Sequence, residues 1–255
     1  MDRRRPRTWL KAILLLTLVV NPATPVKLSA ALDPQMDAMQ PGVTTNAHKP
    51  RKKTVEPSLI PITDEPGLPR VLLIGDSISM GYTLPVRELL KGQANVHRIL
   101  TNGGSTKDAV TNIDNWLGNG KWDVIHFNWG LHDLKRMQDG KLNLAGEQIS
   151  TLTEYEANLR TLVKRMKATG AKLIWATTTP VPEGSDGRAA REELKYNEVA
   201  SRVMKELGVP TDDLHAWCLP HLTEWQLPKN VHYKPEGYSG IAVQVAAEIK
   251  AVLGK

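Results

Sequence analysis

Cysteine is almost absent from this 255-residue chain, and its scarcity excludes two kinds of structure. Cys218 is the only cysteine, so the chain can form neither an intramolecular disulfide nor a cysteine-rich metal site. Its apolar neighbours, Trp217 and Leu219, favour a buried structural thiol over a nucleophile. The histidines lack the His-x-x-x-His and His-Glu spacings of a zinc-binding helix. We therefore predict no metal site.

The N-terminal apolar run, Ala12 to Val20, has only nine residues and is too short to span a bilayer. It follows the basic stretch Arg3 to Lys11 and precedes the small residues Ser29-Ala30-Ala31, which is the layout of a secretory signal peptide. We predict that residues 1–31 are a signal peptide and that the protein is secreted or periplasmic. The alternative is an uncleaved N-terminus, which is the only route to membrane attachment that the sequence offers.

Excess positive charge is concentrated in the same N-terminal segment. Residues 1–31 hold six Lys or Arg and one acidic residue, a balance of +5 within the total of +6, so their removal leaves +1. This small remainder gives little electrostatic support to a nucleic-acid partner.

Residues 32–69 contain seven prolines and no sustained apolar period. This composition predicts a flexible Pro-rich linker. The folded domain is expected to span residues 70–255, a length that suits one α/β domain.

The domain alternates short apolar runs with helical patterns. The predicted strands are Val71–Ile74, Asn95–Ile99, Asp123–Asn128, Lys172–Ala176 and, less regularly, Val209–Leu214. Helical patterns separate them, and a last helix is predicted from Pro235 to Leu253. Strands joined by helices imply right-handed crossovers, so we predict an α/β fold in three layers, with a parallel sheet of about five strands.

Two residues, Gly75 and Asp76, separate Ser77 from the first predicted strand, and a helical segment follows it. Ligands of such sheets bind beyond the carboxyl ends of the strands, so this position suits a nucleophile. The alternative is that Ser77 only caps the following helix.

The stretch Val71-Leu-Leu-Ile-Gly-Asp-Ser-Ile-Ser79 resembles the first sequence block of the SGNH, or GDSL-type, hydrolases, and the resemblance continues through four ordered blocks to the C-terminus. It implies a flavodoxin-like α/β/α fold and an esterase whose serine is Ser77, with the Ser77 amide in the oxyanion hole. The second block corresponds to Asn102-Gly103-Gly104-Ser105 and implies that the amide of Gly104 also binds the oxyanion. An ordinary Asn-Gly-Gly turn is the alternative.

The third block departs from the family pattern. Gly130-Leu131-His132-Asp133 has His132 where the family has the asparagine that donates to the oxyanion. An imidazole N–H can also donate, while the alternative is a hydrogen-bonded structural histidine. Asn128, at the end of the third strand, is a second candidate donor.

The fourth block departs as well. His232 fits the general-base position, but Lys229 occupies the position of the usual aspartate and offers only hydrogen-bond donors. The imidazole could instead be oriented by the side-chain oxygen of Asn230, by a backbone carbonyl or by a distant carboxylate such as Asp213.

The resemblance implies an esterase without a cofactor, which we interpret as an exported enzyme acting on acyl, above all acetyl, esters of carbohydrate. Trp129 could stack on a sugar or pack in the core, and Thr178 belongs to a predicted crevice wall at 177–182. The substrate would be a small-molecule or polysaccharide ester. Three alternatives stay open: an acetyltransferase on glycans, a lysophospholipase or other lipid esterase, and an inactive glycan-binding domain.

Overall fold

The computed structural model describes residues 55–255. The predicted signal peptide, 1–31, and the predicted linker as far as residue 54 lie outside the described residues. Within the described part, no helix combines the length and the apolar character needed to cross a membrane.

The central sheet contains five parallel strands, as the alternating pattern predicts. Its strands are β1 (Arg70–Ile74), β2 (Asn95–Arg98), β3 (Val124–Phe127), β7 (Lys172–Ala176) and β8 (Thr211–Asp212). Their spatial order is β2-β1-β3-β7-β8, with every neighbouring pair parallel. In β1, Val71 to Ile74 are buried, as expected for a strand with helices on both faces.

Within residues 55–255, seven α-helices accompany the strands. They are α1 (Ser77–Leu89), α2 (Thr106–Leu117), α3 (Leu152–Lys167), α4 (Glu193–Glu206), α5 (Leu214–Cys218), α6 (Leu222–Trp225) and α7 (Pro235–Leu253). The helices α1 and α7 pack against each other, while α2, α3 and α4 pack in series. These two helical groups and the sheet give the predicted three-layer α/β/α architecture.

Helices α1 and α7 approach closely because α1 has a glycine at their contact. A Cβ atom on Gly81 would lie 2.2 Å from the Tyr238 ring, so any larger residue would push the helices apart. This contact matters for the site because α1 begins at Ser77 and α7 begins three residues after His232.

The structure also contains a small sheet that the periodicity did not predict. Three short strands, β4 (Arg136–Gln138), β5 (Lys141–Leu142) and β6 (Glu147–Gln148), pair antiparallel between β3 and α3. They are anchored by Arg136, whose guanidinium forms an ion pair with the buried carboxylate of Glu192. Strands of two or three mostly exposed residues have no apolar alternation that a sequence could display.

The predicted domain start at residue 70 is too late. The Asn95 side chain accepts from the Glu65 amide at 2.8 Å and donates to the Glu65 carbonyl at 3.0 Å. Asp64 lies 2.8 Å from Arg70 and 2.5 Å from His97. Residues 55–69 are therefore part of the domain, and the flexible-linker prediction is wrong for them.

Candidate active site

The nucleophile turn lies between β1 and α1. Asp76 caps α1 by accepting a hydrogen bond from the Ile78 amide at 2.9 Å. A Cβ atom on Gly75 would lie 3.0 Å from Ser79, so glycine keeps this turn tight. Ser77 is the first residue of α1, and its hydroxyl lies beyond the carboxyl end of the sheet, where a ligand is expected.

His232 meets Ser77 from the loop that precedes α7. Its Nε2 atom lies 2.8 Å from the Ser77 hydroxyl, although 155 residues separate the two in the chain. This distance is within reach for proton transfer from a serine nucleophile to a histidine base. The structure thus brings together the two residues that the sequence suggested as the catalytic pair.

Asn230 orients the imidazole from the other side. Its Oδ1 atom lies 2.7 Å from His232 Nδ1 and also accepts from the His232 backbone amide at 3.0 Å. The backbone amide can only donate, so it identifies this atom of the asparagine as the oxygen. The Nδ1 atom then carries the proton, and Nε2 is left as the acceptor that a base needs.

The other candidates for the third position lie elsewhere. Asp213 accepts from the Thr177 hydroxyl at 3.0 Å and from the Ala216 amide at 3.1 Å, so it caps α5. Lys229 is exposed, has a positive φ of 54° and borders Gly184. Of the proposed substitutes, the structure favours the Asn230 side chain.

Burial adjusts the pKa of His232. Desolvation lowers the pKa of the half-buried imidazole below its ordinary value, while Asp76 raises it and Arg188 lowers it further. A neutral imidazole can accept a proton from Ser77, so this environment keeps the base functional at neutral and mildly acidic pH.

Gly104 lies in the loop between β2 and α2, where the family resemblance expects an oxyanion donor. Its φ is +58°, and a Cβ atom there would lie 2.5 Å from the Asp108 carboxylate, so the position requires glycine. The Gly104 amide donates to Asn102 Oδ1 at 3.0 Å. The exposed Asn102 side chain must therefore turn away before this amide can donate to a substrate oxygen.

His132 is held in the tautomer that an oxyanion donor needs. The Lys135 ammonium lies 3.3 Å from its Nδ1 atom, and an ammonium can only donate, so Nδ1 is the acceptor and Nε2 carries the proton. Desolvation lowers the pKa of His132 and keeps the ring neutral. The structural alternative has less support, since the described contacts of the ring include no bond from Nε2 to the protein.

The Asn128 side chain forms hydrogen bonds at the carboxyl end of the sheet. Its side-chain amide donates to the Ala176 carbonyl at 2.7 Å and lies 3.4 Å from the Thr178 hydroxyl. Both contacts connect the ends of β3 and β7. The amide is thus used in the scaffold, and His132 is the better donor candidate.

Two residues suggested for substrate binding are buried. Trp129 has no exposed surface, and its indole N–H donates to the Gly103 carbonyl at 3.3 Å. Thr178 is 1% exposed and donates from its hydroxyl to the Trp129 carbonyl at 3.1 Å. Neither side chain can contact a sugar in this structure, so the core-packing alternative holds for Trp129 and the crevice-wall role of Thr178 is wrong.

Arg98, which sequence reasoning missed, connects the nucleophile turn to the oxyanion loop. Its buried guanidinium donates to the carbonyls of Gly75 and Asp76 at 2.8 and 3.0 Å. It also donates to the carbonyls of Ile99 and Thr101. An arginine at the end of a short strand gives no signal of this role in the sequence.

Asp133 joins α2 to the loop that carries His132. Its buried carboxylate accepts from the Thr106 amide at 3.0 Å and from the Thr106 hydroxyl at 2.5 Å. Desolvation raises the pKa of Asp133 to about 6, despite these hydrogen bonds. The hydrogen bonds between Asp133 and Thr106 fix the spacing between the two candidate oxyanion donors, Gly104 and His132.

Two further buried features are a histidine–aspartate pair and the thiol of the single cysteine. His126 and Asp212 are fully buried and lie 2.9 Å apart. Cys218 is buried, and desolvation raises its pKa to about 12, which agrees with a structural thiol. Within residues 55–255, no cluster of three or more His, Cys, Asp or Glu side chains is arranged to hold a metal ion.

A serine, a neutral histidine and an orienting amide beyond the carboxyl edge of a parallel sheet define a site for acyl transfer. A sequence model of the GDSL-like Lipase/Acylhydrolase family matches residues 73–239. The chain belongs to this family and is a carboxylic ester hydrolase of the SGNH type.

Solved structures share the fold at low sequence identity. A lipase/acylhydrolase from Enterococcus faecalis is 20% identical with a TM-score of 0.61, over 72% of this chain and 96% of its own. The acetyl xylan esterase AlAXEase is 17% identical with a TM-score of 0.58, over 71% and 99%. A GDSL-like lipase described as putative, from Parabacteroides merdae, is 16% identical with a TM-score of 0.59, over 72% and 96%.

None of the curated proteins compared with the chain matches it.

Proposed function

We propose that the protein is an exported serine esterase that removes acyl groups, above all acetyl groups, from carbohydrate. The observation that carries the proposal is the chain of contacts from Ser77 through His232 to Asn230. Export is supported by the signal-peptide pattern of residues 1–31. Carbohydrate is supported by the fold shared with an acetyl xylan esterase.

The reaction starts with the formation of an acyl-enzyme. The Ser77 hydroxyl gives its proton to His232 Nε2 while its oxygen bonds to the ester carbonyl carbon. The carbonyl oxygen becomes an oxyanion, which accepts hydrogen bonds from the Ser77 and Gly104 amides and from His132. The ester C–O bond then breaks, and the imidazolium transfers its proton to the departing alcohol.

Water completes the cycle. His232 takes a proton from a water molecule as the water oxygen attacks the acyl carbon. The bond to Ser77 then breaks, its oxygen recovers the proton from His232, and the carboxylic acid leaves. Atoms and charges balance without a metal or an organic cofactor.

Residue 77 provides the direct test. We expect the purified protein to hydrolyse p-nitrophenyl acetate and to release acetate from acetylated xylan. Ser77→Ala is expected to lower kcat on both substrates by about 10⁴-fold to 10⁶-fold, because the nucleophile is lost. A Ser77→Ala protein that stays folded and keeps the wild-type rate would refute the assignment.

The alternatives give different products. An acetyltransferase would move the acetyl group to an added glycan acceptor faster than it releases acetate. A lipid esterase would prefer long-chain p-nitrophenyl esters to the acetate. An inactive glycan-binding domain would bind xylan and hydrolyse neither ester.

A further inference from the structure

A cavity of about 380 Å³ borders the candidate oxyanion hole. Its lining includes Asn102, Gly104, Asp108, Asn112, Trp116 and His132. Since Gly104 and His132 are the candidate donors to the reacting carbonyl oxygen, a molecule in this cavity lies next to the ester that is cleaved. The part of the substrate that gives specificity is therefore expected here.

Helix α2 supplies one wall of the cavity. Asp108, Asn112 and Trp116 follow each other at intervals of four residues, so their side chains share one face of the helix. At about 1.5 Å per residue, this stripe extends about 12 Å along the helix axis. It leads from the oxyanion loop toward the C-terminal end of α2.

The lining chemistry suits a sugar ring. Trp116 is half-buried, packs partly on the core and is the large aromatic side chain that lines the cavity. The Asn102 amide can donate to hydroxyl groups, and Asn112, whose Nδ2 donates to the Asp108 carbonyl at 2.8 Å, keeps its oxygen and a second N–H for them. The carboxylate of Asp108 is already bound by the Ser105 amide and hydroxyl at 2.8 and 2.7 Å. An acyl chain would need more apolar walls than this lining supplies.

A second cavity, of about 400 Å³, adjoins the first. Both are lined by Thr101 and Trp116, and the rest of the second is mainly apolar, with Ile62, Ile99 and Leu100 among its walls. Trp116 therefore stands between two adjacent spaces. The polar side chains that suit a sugar, by contrast, line the first cavity, next to the candidate oxyanion donors.

We infer that Trp116, Asn112 and Asn102 form the subsite that binds the sugar of an acetylated polysaccharide while its acetyl group reaches Ser77. This inference rests on the proposed function. It assigns to Trp116 the stacking on a sugar ring that was expected for Trp129. The Trp116 ring stacks on the face of the sugar, and the two amides bind its hydroxyl groups.

The test compares two substrates on the full-length protein. The quantity measured is kcat/KM for acetylated xylan divided by kcat/KM for p-nitrophenyl acetate, which carries no sugar. Trp116→Ala is expected to lower this ratio about tenfold, mainly through a higher KM for xylan, because the stacking surface is lost. Trp116→Phe, which keeps an aromatic face, is expected to recover most of the ratio.

Trp217→Ala is the matched control, because Trp217 is 37% exposed and lies on α5, outside both cavities. It is expected to leave the ratio unchanged. If Trp116→Ala fails to fold, Asn112→Ala on the same face of α2 is expected to lower the ratio by itself.

Other outcomes separate the two proposals. An unchanged ratio in Trp116→Ala, whether both activities stay the same or fall equally, would overturn the subsite. A wild-type protein that hydrolyses p-nitrophenyl acetate but not acetylated xylan would also overturn it, while leaving the esterase intact. Absence of activity on both esters would refute the proposed function itself.

Discussion

Asn230 orients the His232 imidazole but carries no charge of its own. An amide oxygen on Nδ1 selects the tautomer that leaves Nε2 free, as a carboxylate would. It does not offer the negative charge that stabilises the imidazolium formed when Ser77 loses its proton. The site therefore has the geometry of a triad with weaker electrostatic support.

Asn230→Asp tests this difference through the pH profile. His232 must be neutral to act as a base, so kcat/KM should rise with pH through its pKa and level off above it. The pKa of wild-type His232 is lowered, so this rise should lie below the ordinary histidine value. A carboxylate beside Nδ1 should move the rise upward by about one to two pH units and increase kcat at the plateau.

The control is Asn230→Ala, which removes the orienting oxygen and should lower kcat. A pH profile that is unchanged in Asn230→Asp would show that Asn230 does not contact the working imidazole.

His132→Ala tests the second oxyanion donor. Loss of one donor is expected to lower kcat for p-nitrophenyl acetate by about 10²-fold to 10³-fold with a small effect on KM. His132→Asn should keep part of the rate, because an amide N–H can also donate. A His132→Ala protein with the wild-type kcat would show that another group donates the second hydrogen bond to the oxyanion.

Local sequence predicts some site residues better than others. Ser77 and His232 stand directly beside a strand end and a helix start, so motif and position suggest them. Trp129 lies two residues beyond β3, and its indole N–H donates to the Gly103 carbonyl, while its own carbonyl accepts from Tyr155 on α3 and from Thr178. Such contacts join distant parts of the chain, and a local pattern does not contain them.

At the scale of elements, apolar periodicity predicts most of the sheet and its helices. The bounds predicted for α7 are those of the structure, because Pro235 begins the helix and Gly254 ends it. The last strand, by contrast, is only Thr211–Asp212, since Asp213 already caps α5. Burial on both faces and helix capping have local signatures, while the length of an edge strand depends on its neighbour.

Gly81→Ala tests the packing of α1 against α7. Alanine is the better helix former by about 1 kcal/mol, yet its Cβ atom would overlap the Tyr238 ring. We expect a net loss of about 1 to 3 kcal/mol in the free energy of unfolding, measured by urea denaturation. Activity should fall too, because these helices position Ser77 and His232.

The double variant Gly81→Ala with Tyr238→Ala provides the control. Without the ring, the substitution at residue 81 should cost little or should stabilise the protein. An equal loss in both backgrounds would show that the helix contact is not the cause.

At the scale of the whole molecule, the main difference between expectation and structure is where the domain begins. Proline content suggested a linker up to residue 69, but Asp64 and Glu65 are bound by side chains of β1 and β2. A polar side chain such as Asn95 gives no sign in the sequence that it binds another segment. Composition therefore placed the boundary too late.

A shortened protein tests this boundary. A chain of residues 70–255 should lose about 4 kcal/mol of unfolding free energy relative to residues 55–255, because four hydrogen bonds of Asn95 are lost, three from its side chain and one from its backbone amide. Urea denaturation of both chains measures the difference. Equal stability would mean that residues 55–69 contribute nothing to the fold.

The central claim, that Ser77 carries the acyl group during turnover, can be tested by trapping the intermediate. The protein is mixed with p-nitrophenyl acetate, quenched in acid within the first turnovers, digested and examined by mass spectrometry. The account predicts one acetyl group on the peptide that contains Ser77, and none on that peptide in Ser77→Ala. Acetyl transfer to another residue, with Ser77 unmodified and full turnover, would contradict it.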